Sequence, residues 1–277
     1  MKIGVRAHDF GRFASPCNQA QAIKAAGFDC AQYAPAKALE GVTHFDMITP
    51  EVLEKVKSAF SHHNVEITVL GCYIEPSLQD DDQRLDNVRI FKENLSHAKY
   101  LGVSIVGTET TGLSIHATAD EREAAYQRLK DSVLRMTEKA EAEGICVGIE
   151  PVAEHTLNTP ALTRRLLDEV KSDKLKVIFD PVNLVLPHTI HQQNSIFKAM
   201  FMLLGNEISV MHIKDTVIEN DKKVWRKISQ GAINYPLIFD WLRKYKPDIH
   251  LLREDAKMDS YQEDIAAMEL LIQGGHS

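Results

Sequence analysis

Apolar runs rich in β-branched residues recur eight times along the chain. They are IGVRAH (3–8), CAQYA (30–34), EITVLGCY (66–73), SIVGTET (104–110), CVGIEP (146–151), KVIFDP (176–181), ISVMHIKD (208–215) and IHLLRED (249–255). Short runs of this kind, bounded by polar and turn-forming residues, predict β-strands, and their nearly continuous apolar character predicts strands covered on both faces. Helix patterns with recognisable ends stand between them. Ser15-Pro16, Thr49-Pro50 and Thr159-Pro160 each place a capping hydroxyl before a proline suited to the first helical position, and the first of these helices closes near Gly27. Thr118, followed three residues later by Glu121, predicts a capping box. Behind it Ala125, Leu129, Val133, Met136 and Ala140 form one apolar stripe that stops before Gly144. Val88, Phe91, Leu95 and Ala98 repeat that spacing and close at Gly102, while Ile238, Trp241 and Leu242 predict a shorter helix. A last helix is expected over roughly 260–273.

Eight strands each followed by a helix, with no strand carrying a wet face, predict an α/β fold: a single (β/α)8 TIM barrel. A chain of 277 residues could hold either two ordinary domains or one such barrel. No low-complexity linker divides it, so one domain over 1–277 is the simpler expectation. The rival is a doubly wound open sheet, whose Gly-x-Gly-x-x-Gly turn after the first strand is absent. In a TIM barrel the active site lies at the C-terminal ends of the strands.

Composition narrows the function classes. No apolar run approaches the ~18 residues that span a bilayer, so a membrane protein is not expected. The opening MKIGVRAHDFGRF lacks the long apolar core of a secretory signal, which makes the cytoplasm the default location. Cys17, Cys30, Cys72 and Cys146 form no Cys-x-x-Cys pair, which argues against a zinc knuckle or a disulfide framework. With 32 basic and 39 acidic residues the net charge is −7, which opposes a phosphate backbone and makes nucleic acid an unexpected partner.

Four side chains stand at the C-terminal ends of successive predicted strands: Glu150 in GIEPV, Asp180 in VIFDPVN, His212 in VMHIKD and Glu254 in LLRED. The intervals of 30, 32 and 42 residues each leave room for a helical return and one further strand. Alone, each has a plain structural alternative, such as a turn-forming acid, a helix cap or a hydrogen-bonded core histidine. Together, in a closed sheet, they would converge on one divalent-metal site. Oxygen-rich ligation with one imidazole suits Mn²⁺ first, with Mg²⁺, Co²⁺ or Zn²⁺ as alternatives. Such an ion can hold a hydroxycarbonyl and favour loss of the proton on the neighbouring carbon, which gives an enediolate. Glu150 and Glu254 are the candidates for the base that takes that proton and the acid that returns one.

As they stand, these residues resemble the xylose-isomerase-like barrel superfamily of sugar phosphate isomerases and epimerases, most specifically from GIEPV onward. HIKD after strand seven resembles that group, as do Gly231, Tyr235 and Pro236 within ISQGAINYPLIFDWL. The resemblance implies Glu150, Asp180, His212 and Glu254 as ligands of Mn²⁺ or a similar ion. From the ketose 3-epimerases of the group it implies Glu150 and Glu254 as acid and base. Those epimerases typically carry His three residues after the strand-six Asp, where this chain has Asn183. They also place a further Glu and Arg near substrate, where PVAEHTLNTP is shorter and Ile218 stands six residues beyond His212.

Other residues offer weaker substrate contacts. Lys214 should share the side of His212 in an ideal strand, with a salt bridge to Asp215 or a nearby carboxylate as its alternative. Glu154 or His155 could serve in the loop after strand five, and Arg6 and His8 could line the barrel mouth or cap a turn. Arg253 should face outward against a helix. His188 and His191 read best as solvent-exposed polar residues. Trp225 is compatible with a lid, a subunit contact or packing.

The expected function is metal-dependent isomerisation or epimerisation of a small sugar, sugar phosphate or keto-polyol. A keto-polyol dehydratase on the same scaffold is the alternative, because the same enolate can expel a β-hydroxyl. An endonuclease-like phosphodiesterase and a non-catalytic sugar binder rank lower. A homo-oligomer is compatible with all of these.

Overall fold

The computed structural model describes residues 1–257 and 259–275. Each of the eight predicted strands is present: β1 (Lys2–Arg6), β2 (Cys30–Tyr33), β3 (Glu66–Gly71), β4 (Ile105–Glu109), β5 (Cys146–Glu150), β6 (Leu175–Phe179), β7 (Ile208–Ile213) and, after two further strands, β10 (His250–Arg253). They close into a barrel in the order β1-β10-β7-β6-β5-β4-β3-β2, and the pairings β1·β2, β1·β10, β10·β7, β3·β4, β4·β5 and β5·β6 are parallel.

The connecting helices are α1 (Pro16–Ala25), the short α2 (Pro35–Ala38), α3 (Pro50–His62), α4 (Asp81–Leu101), α5 (Ala119–Glu143), α6 (Pro160–Val170), α7 (Gln193–Leu204), α8 (Tyr235–Tyr245) and α9 (Tyr261–Gln273). Their ends follow from local chemistry. The hydroxyls of Ser15, Thr49 and Thr159 accept amide N–H bonds from Cys17, Val52 and Leu162, with proline next in sequence. Thr118 and Glu121 form the reciprocal capping box, and Gly144 closes α5 in the left-handed region at φ 76°. α4 begins well before Val88 because the Asp80 carboxylate caps it through Gln83 N–H.

The chain packs as two compact units. One contains Met1–Val69, Pro187–Phe197 and Val210–Ser277, and the other Leu70–Leu186 and Lys198–Ser209. In the first, Val5, Ala31, Met211 and Leu251 are fully buried strand residues, backed by Ile23, Phe239 and Met268 from helices. In the second, Val106, Val147, Ile149 and Val177 play that part, covered by Phe91, Leu95, Leu129 and Val133. Burial of both strand faces is the reason the runs read as continuously apolar. β1 passes so near β2 that a Cβ at Gly4 would overlap the Cys30 carbonyl, so only glycine fits there.

One element is not visible in the pattern of apolar runs. Immediately after β7, Asp215 opens an antiparallel hairpin, β8 (Asp215–Glu219) with β9 (Lys222–Arg226). The predicted strand 208–215 therefore ends two residues early, at Ile213. Asn220 and Asp221 both have positive φ, 50° and 58°, as a two-residue turn of this hand requires. The Asn-Asp pair between Val217-Ile218 and Val224-Trp225 is the signal that marks it.

Candidate metal centre

Glu150 is the last residue of β5, Asp180 follows β6, and His212 lies one residue before the end of β7. All three are buried, and each offers a ligand atom that lies within 4.8 Å of the others. Glu254 follows β10 and is also buried. Its Oε1 is 3.2 Å from His212 Nδ1. The structure thus groups Glu150, Asp180 and His212, and ties Glu254 to that group through His212.

Each candidate ligand is held by neighbours. Asp180 Oδ1 accepts the backbone N–H groups of Val182 at 2.8 Å and Asn183 at 3.0 Å, which makes Oδ2 the candidate donor. The Asn183 side-chain amide donates to Glu150 Oε1 at 2.6 Å. Asn183 therefore supports two of the acids while remaining half-buried at the site. His212 Nε2 lies 2.8 Å from Gln32 Oε1. Glu254 Oε2 accepts from Lys214 Nζ at 3.0 Å and lies 3.3 Å from a terminal nitrogen of Arg6.

Burial alone would raise the carboxyl pKa of Glu254, but the positive neighbours His212, Lys214 and Arg6 outweigh it and hold the group well below the usual carboxylate range. Glu254 is ionised. Glu150, Asp180 and His212, two carboxylates and an imidazole, form a buried cluster that fits a divalent ion.

Lys214 meets Glu254 rather than Asp215. The Asp215 carboxylate instead accepts backbone N–H bonds from Thr216, Gly231 and Ile233, pinning the glycine-containing turn that leads to α8. Burial pushes the Asp215 pKa up to about 6 despite those bonds. The Tyr235 hydroxyl donates to the Lys214 carbonyl, so the predicted Gly231 and Tyr235 signals have a shared job in setting this turn.

His8 sits in a single 3-10 turn, Ala7–Phe10, after β1. Burial first, then the charges of Arg6 and Lys37, push its pKa from the ordinary 6.5 down to about 3. It is neutral near pH 7 and can donate and accept a hydrogen bond. The unfolded chain takes up this proton near pH 6.5 while the folded chain does not until about pH 3, so protons favour unfolding across that window. The unfolding free energy of the native protein is expected to fall more steeply between those pH values than that of His8→Gln. Urea titrations at several pH values check this, and parallel slopes would refute it.

The remaining predicted residues divide. His155 is half-buried, with Nδ1 3.9 Å from Glu109 Oε2 at the end of β4, and Glu154 is exposed. His188 and His191 are exposed in the 3-10 segment Pro187–Gln192, outside the metal-ligand group. Arg253 faces a helix as expected, pairing with Asp264 of α9. Trp225 packs beside Arg253 and Lys257, whose charged groups lie 5.6 and 4.5 Å from its ring centroid. Gln32 escaped the sequence reading, although a polar residue inside the buried run CAQYA is a visible anomaly.

Among the described residues no helix is long and apolar enough to cross a membrane. No curated protein sequence matches the chain. Solved structures do. A D-tagatose 3-epimerase-like protein superposes with a TM-score of 0.79 at 16% identity, covering 99% of this chain and 97% of the other. The IOLI protein with a zinc atom gives 0.78 at 16% identity, covering 100% of both chains. The probable 3-DHS dehydratase AsbF from Bacillus anthracis gives 0.71 at 17% identity, covering 98% of both. At such identities the likeness is one of fold. The model of the xylose isomerase-like TIM barrel matches residues 20–271, nearly the whole chain, and this protein belongs to that family.

Proposed function

We propose that the chain is a divalent-metal-dependent isomerase or epimerase of a small sugar, sugar phosphate or keto-polyol, acting by proton transfer beside a carbonyl. The observation that carries this reading is the buried meeting of Glu150, Asp180 and His212, with Glu254 Oε1 3.2 Å from His212 Nδ1. The similar structures include one named as epimerase-like, one holding zinc and one named as a dehydratase, all of which suit such a site. Mn²⁺ is the proposed native ion, with Mg²⁺, Co²⁺ and Zn²⁺ compatible with the same donors.

When bound, the ion would draw charge from the substrate carbonyl and favour the anion left by proton loss. The chain supplies the rest. Glu254, kept ionised by Lys214 and Arg6, and Glu150, braced by Asn183, are the proposed base and acid pair. A base takes the proton from carbon, the electron pair moves toward the carbonyl oxygen, and return of a proton to carbon completes epimerisation or isomerisation. Asp180, with one oxygen committed to backbone amides, serves as a ligand. Asn183, Lys214, His8 and His155 are the proposed contacts to substrate hydroxyls, His8 as a neutral imidazole.

Incubating the manganese-loaded protein with ketoses, their phosphates and keto-polyols in D₂O tests the proposal. Carbon-bound deuterium in substrate or isomer, without loss of water and abolished by chelator, is expected. Loss of one water would select the dehydratase reading, and absence of both across the panel would overturn proton-transfer catalysis on these substrates.

A further inference from the structure

His212 Nε2 and Gln32 Oε1 are 2.8 Å apart, and the two residues are only 1% and 3% exposed. An amide oxygen carries lone pairs alone, so a hydrogen bond at this distance requires the proton on Nε2. The opposite tautomer would set two lone pairs against each other in a buried place. With Nε2 protonated, Nδ1 is the ring atom left to bind an ion, and it lies 3.2 Å from Glu254 Oε1. Two donors bound to one ion at about 2.1 Å each, near a right angle, are separated by about 3 Å. The observed spacing is therefore that of adjacent ligands.

Gln32 is also firmly placed. It lies within β2 between Ala31 and Tyr33, both fully buried, and pairs in register with Arg6 of β1. Two neighbouring strands thus send one side chain to each of two adjacent candidate ligands, Arg6 to Glu254 and Gln32 to His212.

We infer that Gln32 is a positioning residue, which holds His212 in its Nε2–H form and turns Nδ1 toward the metal. This rests on the metal centre proposed above. Holding the Nε2 proton and the ring's orientation leaves Nδ1 as the ring atom that faces the ion, so Gln32 should govern affinity rather than fold. Loss of such an outer contact commonly weakens metal binding by about 10- to 100-fold.

The test uses the ¹⁵N-labelled full chain loaded with diamagnetic Zn²⁺, long-range ¹H–¹⁵N spectra of the imidazoles, and zinc affinity by chelator competition. In the native protein His212 is expected to coordinate through Nδ1 with a protected Nε2–H. Gln32→Met, which keeps size and removes the acceptor, should lose that protection and bind zinc about 10- to 100-fold more weakly. Gln32→Glu, which restores an acceptor oxygen, should recover both. Native His212 bound through Nε2 overturns the inference without need of any variant, which covers a Gln32→Met protein that fails to fold. So does a folded Gln32→Met with native affinity and spectrum. A native protein that takes up no zinc and no manganese overturns the metal centre itself, a result distinguishable from either of those.

Discussion

Glu254→Gln is expected to abolish carbon-proton exchange, by about 10³-fold or more, while the barrel remains folded. A positioned general base or acid contributes about 10² to 10⁴ in rate, and this residue is proposed to be a ligand as well. Glutamine preserves the size of the side chain but cannot take a proton from carbon. The fold should survive because the cations around Glu254 have other partners. Arg6 is also paired with Asp9 at 2.8 Å and Asp255 at 2.6 Å, and Lys214 lies 3.9 Å from Asp255. Glu150→Gln should behave alike, since its amide oxygen can still accept from Asn183. Deuterium incorporation followed by mass spectrometry, with metal content and circular dichroism recorded on the same samples, makes the measurement. Metal retained with exchange lost identifies a proton-transfer role, and near-native exchange in both variants removes the proposed mechanism.

Asp264→Ala is expected to cost the protein about 3–5 kcal/mol, a large share of the roughly 5–15 kcal/mol that holds a typical domain folded. Arg253 Nε donates to Asp264 Oδ2 at 2.9 Å, and neither side chain has any exposure to water. The same carboxylate accepts from the Ser260 hydroxyl and from Ile228 N–H, each at 2.9 Å, so it joins β10, α9 and the segment after the hairpin. Removing it leaves a guanidinium buried without its counter-charge, which costs far more than a surface pair would. The double variant Arg253→Met with Asp264→Leu should recover much of the loss, because it removes both charges together. Urea unfolding midpoints compare the three proteins. Equal stability of the single and double variants would show that lost packing, and not the stranded charge, sets the cost. Arg253 immediately precedes Glu254, so the weakened single variant should also bind metal less tightly.

The parts of the fold legible in the sequence are those set by short-range physics. Burial on two faces makes a strand read as a continuous apolar run, so β1 to β7 and β10 were all visible. Hydroxyl-proline pairs and the Thr118–Glu121 box act within four residues, so helix starts were visible as well. The β8–β9 hairpin was hidden because its alternation is brief and its turn rests on Asn220 and Asp221 rather than on glycine. The metal-centre candidates stood out because carboxylates and an imidazole at the ends of buried strands are costly unless they have partners.

Residue type and strand-end position thus determined, from the sequence alone, the barrel and the four acids and bases to watch. Partners were decided only by the tertiary structure. Lys214 could have met Asp215 next door, yet it reaches Glu254, 40 positions away along the chain. Gln32 could have been one more polar residue in a strand, yet it meets His212 across 180 positions. Such pairings depend on the register of strands distant in the chain, and they are fixed by the total packing of the barrel rather than by any local run of residues.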